Sequence, residues 1–239
     1  MNRPFLRTEM ALGGKALEIL AGSHVAVFGI GGVGSYAAEA LARAGVGRLT
    51  LVDSDVVSST NLNRQLCALT STLGQPKAQV MANRVADINP DCQVRALVAL
   101  YTEEDKDRFF DQPYDYIVDA IDLVSCKLSL IVQAHRLNIP ILSALGTGNK
   151  LNPQAFQITD IAGTTFCPLA RVIRRELRAR GILHHPVLFS PEPALTPLPL
   201  EAPPPGRRRI PASVPWVPSV AGLMMAGHVV LNLTGNSRA

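Results

Sequence analysis

The residues best equipped for chemistry fall into four groups: Gly29, Gly31, Gly32 and Gly34; Asp53 and Asp55; Asn61, Arg64 and Lys77; and Asp122, which closes the run Asp119-Ala120-Ile121-Asp122. Closely spaced glycines let a backbone approach phosphate oxygens, and a helix starting just after them offers free N–H groups and a positive dipole end. An acid at the end of the next strand suits ribose hydroxyls. Arg64 and Lys77 are cations able to neutralise phosphate, and Asp122 is a carboxylate able to hold Mg²⁺. A nicotinamide enzyme must hold two riboses and a pyrophosphate, and seldom needs a second acid, an asparagine, an arginine and a lysine so soon afterwards. The set therefore favours ATP with Mg²⁺ over NAD. Each residue also has an ordinary role: a lysine at a helix start is commonly solvated, and an aspartate there is commonly an N-cap.

These side chains need elements to bring them together. Residues 25–28 form an apolar, β-rich run, the glycine turn follows, a helix is predicted from about Ser35, and a second strand over 49–52 ends at Asp53. Strand, glycine turn, helix, strand and acid in that order make the dinucleotide-type fingerprint specific. A helix over about 76–88 carries Lys77 in its first turn and stops at Asn89-Pro90. Strands are predicted at 94–100, 116–120 and 140–145, with a helix to about Leu137 and a turn at Gly146-Thr147-Gly148. Alternation of this kind predicts an α/β fold: a Rossmann-like, doubly wound, mostly parallel sheet flanked by helices. Its ligands sit beyond the carboxyl ends of the strands, where Asp53, Asp122 and Gly146 would converge.

A single domain is predicted over 1–239, opened by a basic segment with Arg7 and a short helix from about Gly14. Beyond residue 156, a helix at about 169–180 carries Arg171, Arg174, Arg175 and Arg178, spaced to put four guanidiniums on one face. That face could bind RNA phosphates or simply be solvated. Proline is dense over 186–218, including Pro203-Pro204-Pro205 ahead of Arg207-Arg208-Arg209, so regular structure is not expected in that stretch and a mobile excursion is predicted at about 190–216. A last helix, about 219–233, has small residues suited to close packing on the sheet.

Composition sets wider limits. Of 239 residues 47% are hydrophobic, enough for a core, and a net charge of +4 permits a polyanionic partner without demanding one. The four cysteines include no CxxC pair, which argues against a cysteine zinc site and for reduced thiols in the cytoplasm. No apolar signal segment opens the chain. The one membrane candidate, 214–233, holds Pro215, Pro218, His228 and Asn232, so a buried helix is expected and stable membrane insertion is not. His184 and His185 read as loop residues.

Several motifs carry a resemblance. GIGGVGS from Gly29, AEALARAGVG from Ala38, LVDSD from Leu51, TNLNRQ from Thr60, GQPK from Gly74, INP from Ile88 and DAID from Asp119 resemble the adenylating superfamily of ubiquitin-activating enzymes, which includes the bacterial molybdopterin- and thiamine-pathway activators. ITDIAGT, PLARVIRRELRARGI, VLFSPE and VPSVAGLMMAGHVV in the C-terminal half are similar to the tRNA threonylcarbamoyladenosine dehydratases. The resemblance implies a ligase-type enzyme that binds ATP·Mg²⁺ and adenylates the carboxylate of a threonylcarbamoyl group, on an adenosine beside the tRNA anticodon. Ring closure then releases AMP, for a net loss of water. It further implies that the glycines line the phosphates and Asp53 takes the ribose. Asn61, Arg64 and Lys77 would contact phosphates, Asp122 would hold the metal, and Arg7 would reach the ATP of the other subunit in a homodimer. A monovalent cation and a sulfur-relay partner protein are further possibilities in that family. The alternative is adenylation of a sulfur-carrier or ubiquitin-like protein C-terminus, whose enzymes commonly carry the CxxC pair missing here.

The sequence departs from the family at Cys167, where an aspartate is expected before Pro168, and at Asn152 and Gln154, which replace the acid and threonine of an Asp-Pro-Thr turn. Cys167 is either a nucleophile or a small residue filling a loop. The chemistry needs no cysteine. AMP makes the carboxyl a good electrophile, and attack by a tethered group is intramolecular, with effective molarities of about 10⁵ M or more.

Overall fold

The computed structural model describes residues 4–200 and 210–236. In chain order its strands are β1 (His24–Phe28), β2 (Arg48–Val52), β3 (Gln93–Leu97), β4 (Tyr116–Asp119), β5 (Ile141–Ala144), β6 (Gln157–Asp160) and β7 (Pro186–Phe189). The helices are α1 (Leu6–Leu12), α2 (Gly14–Gly22), α3 (Gly34–Ala44), α4 (Lys77–Ile88), α5 (Val124–Arg136), α6 (Pro168–Ala179) and α7 (Trp216–Leu233). β1 lies at the centre. All five of its residues are buried, Val25 and Val27 in one apolar cluster, Ala26 and Phe28 in the other. A strand covered on both faces needs such an unbroken apolar run.

The sheet order is β3-β2-β1-β4-β5-β7-β6, parallel throughout except for β6, which runs antiparallel to β7. Helices α2, α3, α4 and α7 cover one face, and α5 and α6 cover the other. The chain winds outward from β1 to β3, then returns to β4 on the other side of β1. That reversal opens a crevice at the carboxyl ends of β1 and β4. The doubly wound architecture is as the alternation predicted.

Three readings need correction. Pro186–Phe189 lies within the stretch predicted to lack regular structure, yet it pairs with both β5 and β6. Its proline is tolerated because it opens the strand. The last helix begins at Trp216, not near Ser219, because Pro218 falls in the first turn, where its missing N–H costs nothing. Its small residues pack mainly on α3 rather than on the sheet. A Cβ on Gly222 would stand 2.3 Å from the Val33 carbonyl oxygen. With Val217, Ala221, Met225, Ala226 and Val229 buried, α7 is a core helix of this fold, although its length and hydropathy would suit a membrane span. The triplets Pro203–Pro205 and Arg207–Arg209 lie outside the described residues.

Candidate active site

The crevice at the β1/β4 switch point has a volume of about 510 Å³. Gly29, Gly31, Gly32, Asp53, Asp55, Arg64, Lys77 and Asp122 all line it, together with Gly146 and Gly148 beyond β5. Most of the sequence-predicted set therefore meets in one place.

The phosphate turn is held by short polar contacts. A Cβ on Gly34 would lie 1.8 Å from the Gly29 carbonyl oxygen, so this glycine closes the turn onto α3 rather than facing the crevice. Ser35 Oγ donates to the Gly31 carbonyl and accepts from the Leu66 N–H, tying the turn to the Arg64 segment. Asp53 Oδ2 accepts the Ile30 N–H at 2.6 Å and Oδ1 accepts the Asp55 N–H at 2.7 Å. One carboxylate thus fixes the geometry of both loops while each oxygen keeps a lone pair for a ribose. Burial pushes this carboxyl above its ordinary range, against the pull of the two N–H groups.

The cations are positioned by the loop between β2 and α4. Lys77 is nearly buried; its N–H donates to the Asp55 carbonyl, and its Nζ pairs with Asp55 Oδ2 at 2.8 Å. Arg64 Nη1 donates to the Thr60 carbonyl and to Asn63 Oδ1. Burial lowers the Arg64 guanidinium from its usual value, and it remains charged at any physiological pH. Asn61 differs from expectation. Its Oδ1 accepts the Ser58 N–H, it caps the short turn at Ser59–Asn61, and it does not line the crevice. Asp122 is exposed and sits one residue ahead of the α5 N-cap, which is Leu123.

Beneath the crevice floor lies a group the sequence reading missed. Lys127 Nζ and Asp119 Oδ2 form a fully buried ion pair at 2.7 Å, and Asp119 Oδ1 accepts the Ile121 N–H. The pair stiffens the turn that presents Asp122. A lysine on the buried stripe of α5, in line with Ile131 and Ala134, was the available signal.

The opposite wall comes from distant segments. Asn149 donates its N–H to the Ala212 carbonyl and accepts the Ala212 N–H on Oδ1, while its carbonyl accepts the Leu195 N–H. Asn63 Nδ2 donates to the Ser213 carbonyl, joining this wall to the Arg64 loop. Lys150 is buried, with its ammonium on the carbonyls of Ser190 and Glu192, and burial lowers it from its usual value. Asn152 Oδ1 accepts the Gln154 N–H, the bond an aspartate would make in that turn. Cys167 is buried, caps α6 through its sulfur to the Ala170 N–H, and abuts Gly146. It fills a loop.

The arginine face is only partly as predicted. Arg171, Arg175 and Arg178 are exposed, but Arg174 turns inward to the carbonyls of Ile161 and Thr164 and to Thr164 Oγ1. Helical spacing placed all four on one side; it could not show that buried carbonyls lay within reach of one. Arg7 is exposed on α1 and does not line this crevice. His184 is an exposed loop residue, as read. His185 is buried between His135 and Ser143 Oγ. No cluster of three or more His, Cys, Asp or Glu suited to a metal occurs among the described residues. A nucleotide-borne Mg²⁺ needs no such cluster, since one or two carboxylates and substrate phosphates suffice; Asp122 on the crevice wall fits that use.

Comparison with known proteins agrees with this geometry. The chain is 48% identical to the tRNA threonylcarbamoyladenosine dehydratase of Bacillus subtilis, over 98% of this chain and 95% of that protein. It is 44% identical to the Escherichia coli enzyme of the same name, over 72% of this chain and 64% of that one. The crystal structure of E. coli tRNA N6-threonylcarbamoyladenosine dehydratase in complex with ATP superposes with a TM-score of 0.87 at 36% identity, covering 98% of this chain and 94% of that one. The ThiF family model matches residues 6–239, and the chain belongs to the ThiF family.

Proposed function

We propose that this protein cyclises threonylcarbamoyladenosine in tRNA by an ATP-dependent dehydration, releasing AMP and pyrophosphate. The observation that carries the reading is one crevice holding Asp53, Arg64, Lys77 and Asp122 in a chain nearly half identical to such a dehydratase. Asp53 receives the ribose, and Ala99, Leu100 and Leu123 offer the apolar wall a base requires. Arg64 and Lys77 neutralise phosphate oxygens, with Lys77 exchanging its Asp55 partner for the nucleotide. Asp122 would hold Mg²⁺, which supplies charge stabilisation on the triphosphate. The substrate carboxylate takes AMP from ATP and pyrophosphate leaves. The tethered nucleophile then attacks the acyl carbon, closes the five-membered ring and expels AMP.

No cysteine need take part. All four are buried, and burial pushes the Cys67 and Cys92 thiols up to about 11, where they are not nucleophiles at neutral pH. Free thiols suit the cytoplasm, where the tRNA would be met. The test is to incubate the protein with ATP, Mg²⁺ and tRNA bearing threonylcarbamoyladenosine. Loss of one water from the nucleoside by mass is the expected result, and an unchanged mass beside intact ATP would refute the reading.

The same proposal includes a homodimer. Phe5 packs against Gly45 at the far end of α3, an 11-residue helix roughly 16 Å long whose other end meets the phosphate turn. Arg7 is therefore held away from its own crevice. Helix α1 buries none of its residues and exposes Leu6 and Met10, as a helix awaiting a second copy would. Mixing inactive Arg7→Ala with inactive Lys77→Ala should restore some activity if Arg7 acts in trans, because one site of each mixed dimer stays whole. A dead mixture would return Arg7 to its own chain.

A further inference from the structure

We propose that Phe166 is a stacking platform for an unstacked base of the RNA substrate. This rests on the tRNA reading above and adds to it a specific recognition group. Phe166 is 83% exposed, whereas every other phenylalanine of the chain is buried or half-buried. Its backbone is left-handed, at φ 52°, a conformation a bulky aromatic adopts only when the surroundings impose it. The imposing residues are its neighbours. Thr164 is buried, accepts Arg174 on its hydroxyl and carbonyl, and donates to the Ile161 carbonyl; Cys167 is buried against Gly146 and caps α6. Between two fixed points the chain must turn outward, and the turn holds an aromatic ring up to solvent. Such a position favours glycine or asparagine, so an aromatic there is a cost to the fold without a packing return.

Its surroundings say what the ring would meet. Cys167 touches the crevice wall, Leu169 lines the crevice, and α6 beyond carries the exposed guanidiniums of Arg171, Arg175 and Arg178, of which Arg175 is paired at the surface with Glu176 Oε1 at 2.8 Å. A ring, three cations and the reaction crevice thus lie along one short segment. The chemistry calls for this combination. A carboxylate borne on an adenine cannot enter a crevice while its base remains stacked in the RNA, so the adenosine must swing out. Its neighbours then lose a stacking partner, and aromatic side chains replace such partners in single-stranded RNA recognition. Phe166 offers the face, and the α6 arginines take the flanking phosphates.

The test uses the full-length protein with an anticodon stem-loop RNA carrying threonylcarbamoyladenosine. Phe166→Leu keeps an apolar side chain but removes the π face. It should raise KM for the RNA by about 5- to 150-fold, the cost of one lost base–aromatic stack, with KM for ATP unchanged. Phe166→Tyr should restore the wild-type value. Phe166→Gly should lose RNA affinity to the same degree with a Tm no lower than wild type, because glycine relieves the left-handed backbone; a structural aromatic would do the reverse. Phe166→Trp in a Trp216→Phe background gives a single tryptophan, which the RNA should quench without ATP. An unchanged RNA KM in Phe166→Leu, or no quenching, overturns the stacking role while wild-type turnover leaves the cyclisation reading intact. A shift from dimer to monomer in Phe166→Leu assigns the ring to a second copy of the chain and overturns it too. Quenching and Leu-sensitive RNA binding without turnover would instead sustain the platform and refute the cyclisation.

Discussion

The two walls of the crevice are built in different ways. On the nucleotide side, the fixing contacts run between close neighbours in sequence: Ile30 to Asp53 across 23 residues, Lys77 to Asp55 across 22, Leu66 to Ser35 across 31. On the substrate side they join Asn149 to Ala212 across 63 residues, Lys150 to Glu192 across 42 and Trp216 to Leu151 across 65. The first wall is one supersecondary unit with its loops. The second is an assembly of far-flung segments that exists only once the sheet has closed. A site of the first kind is carried by a motif, and one of the second kind is carried by the fold.

The sharpest way to break the contrast is at Asp122. Asp122→Ala should abolish pyrophosphate release, a loss of about 3–4 kcal/mol in the transition state by analogy with a lost oxyanion donor. Its Tm should change little, since an exposed carboxylate just ahead of the Leu123 N-cap contributes about 1 kcal/mol at most to the fold. A fall in Tm with normal turnover would make Asp122 structural and erase the difference between the walls.

A smaller effect separates the arginines of α6. Arg174→Ala strips the buried Thr164 carbonyl of its guanidinium and should cost roughly 1–3 kcal/mol of stability, leaving the salt dependence of RNA binding alone. Glutamine at Arg171, Arg175 and Arg178 should do the opposite, lowering the salt slope by about one unit per lost phosphate contact with Tm unchanged. If the Arg174 variant were the one to lose salt dependence, the inward geometry would not hold in solution.

An effect spread over several pH units comes from His185. Burial drives His185 down to about 3, so it stays neutral in the folded protein while the unfolded chain protonates near 6.5. The unfolded state binds more protons between those values, and stability therefore falls as pH drops through that window, by up to about 1.4 kcal/mol per pH unit for this group. Urea titrations of wild type and His185→Gln between about pH 4 and about pH 7, which bracket ordinary histidine titration, should show a shallower slope in the variant. Equal slopes would mean that the ring is protonated inside the fold.

The contrast also explains what could be read in advance. Gly29, Gly31, Gly32, Asp53, Arg64, Lys77 and Asp122 were legible because each sits at a fixed offset from a strand or helix end, where backbone geometry alone decides what faces the crevice. The bond from the Ser58 N–H to Asn61 was not foreseen, since side-chain capping depends on a local turn that spacing does not report. β7 was hidden by its proline-dense context, although its apolar run pairs on both sides. Lys150, Asn149 and Phe166 carried no readable signal. Their roles come from partners or backbone angles set by the closed fold.

Asn149 has a consequence for how this molecule can change. Its carbonyl accepts the N–H of Leu195, its N–H donates to the Ala212 carbonyl and its side-chain oxygen accepts the Ala212 N–H, so Leu195 and Ala212 are both held at a single residue. Closure entropy grows only with the logarithm of length, and doubling a loop costs about 0.6 kcal/mol. The clasp therefore holds its two ends at little cost whatever length of chain joins them, while Pro211 beside it lines the crevice. A change of length at this edge reaches the Arg64 loop through the Asn63 bond to the Ser213 carbonyl, one residue past the clasp.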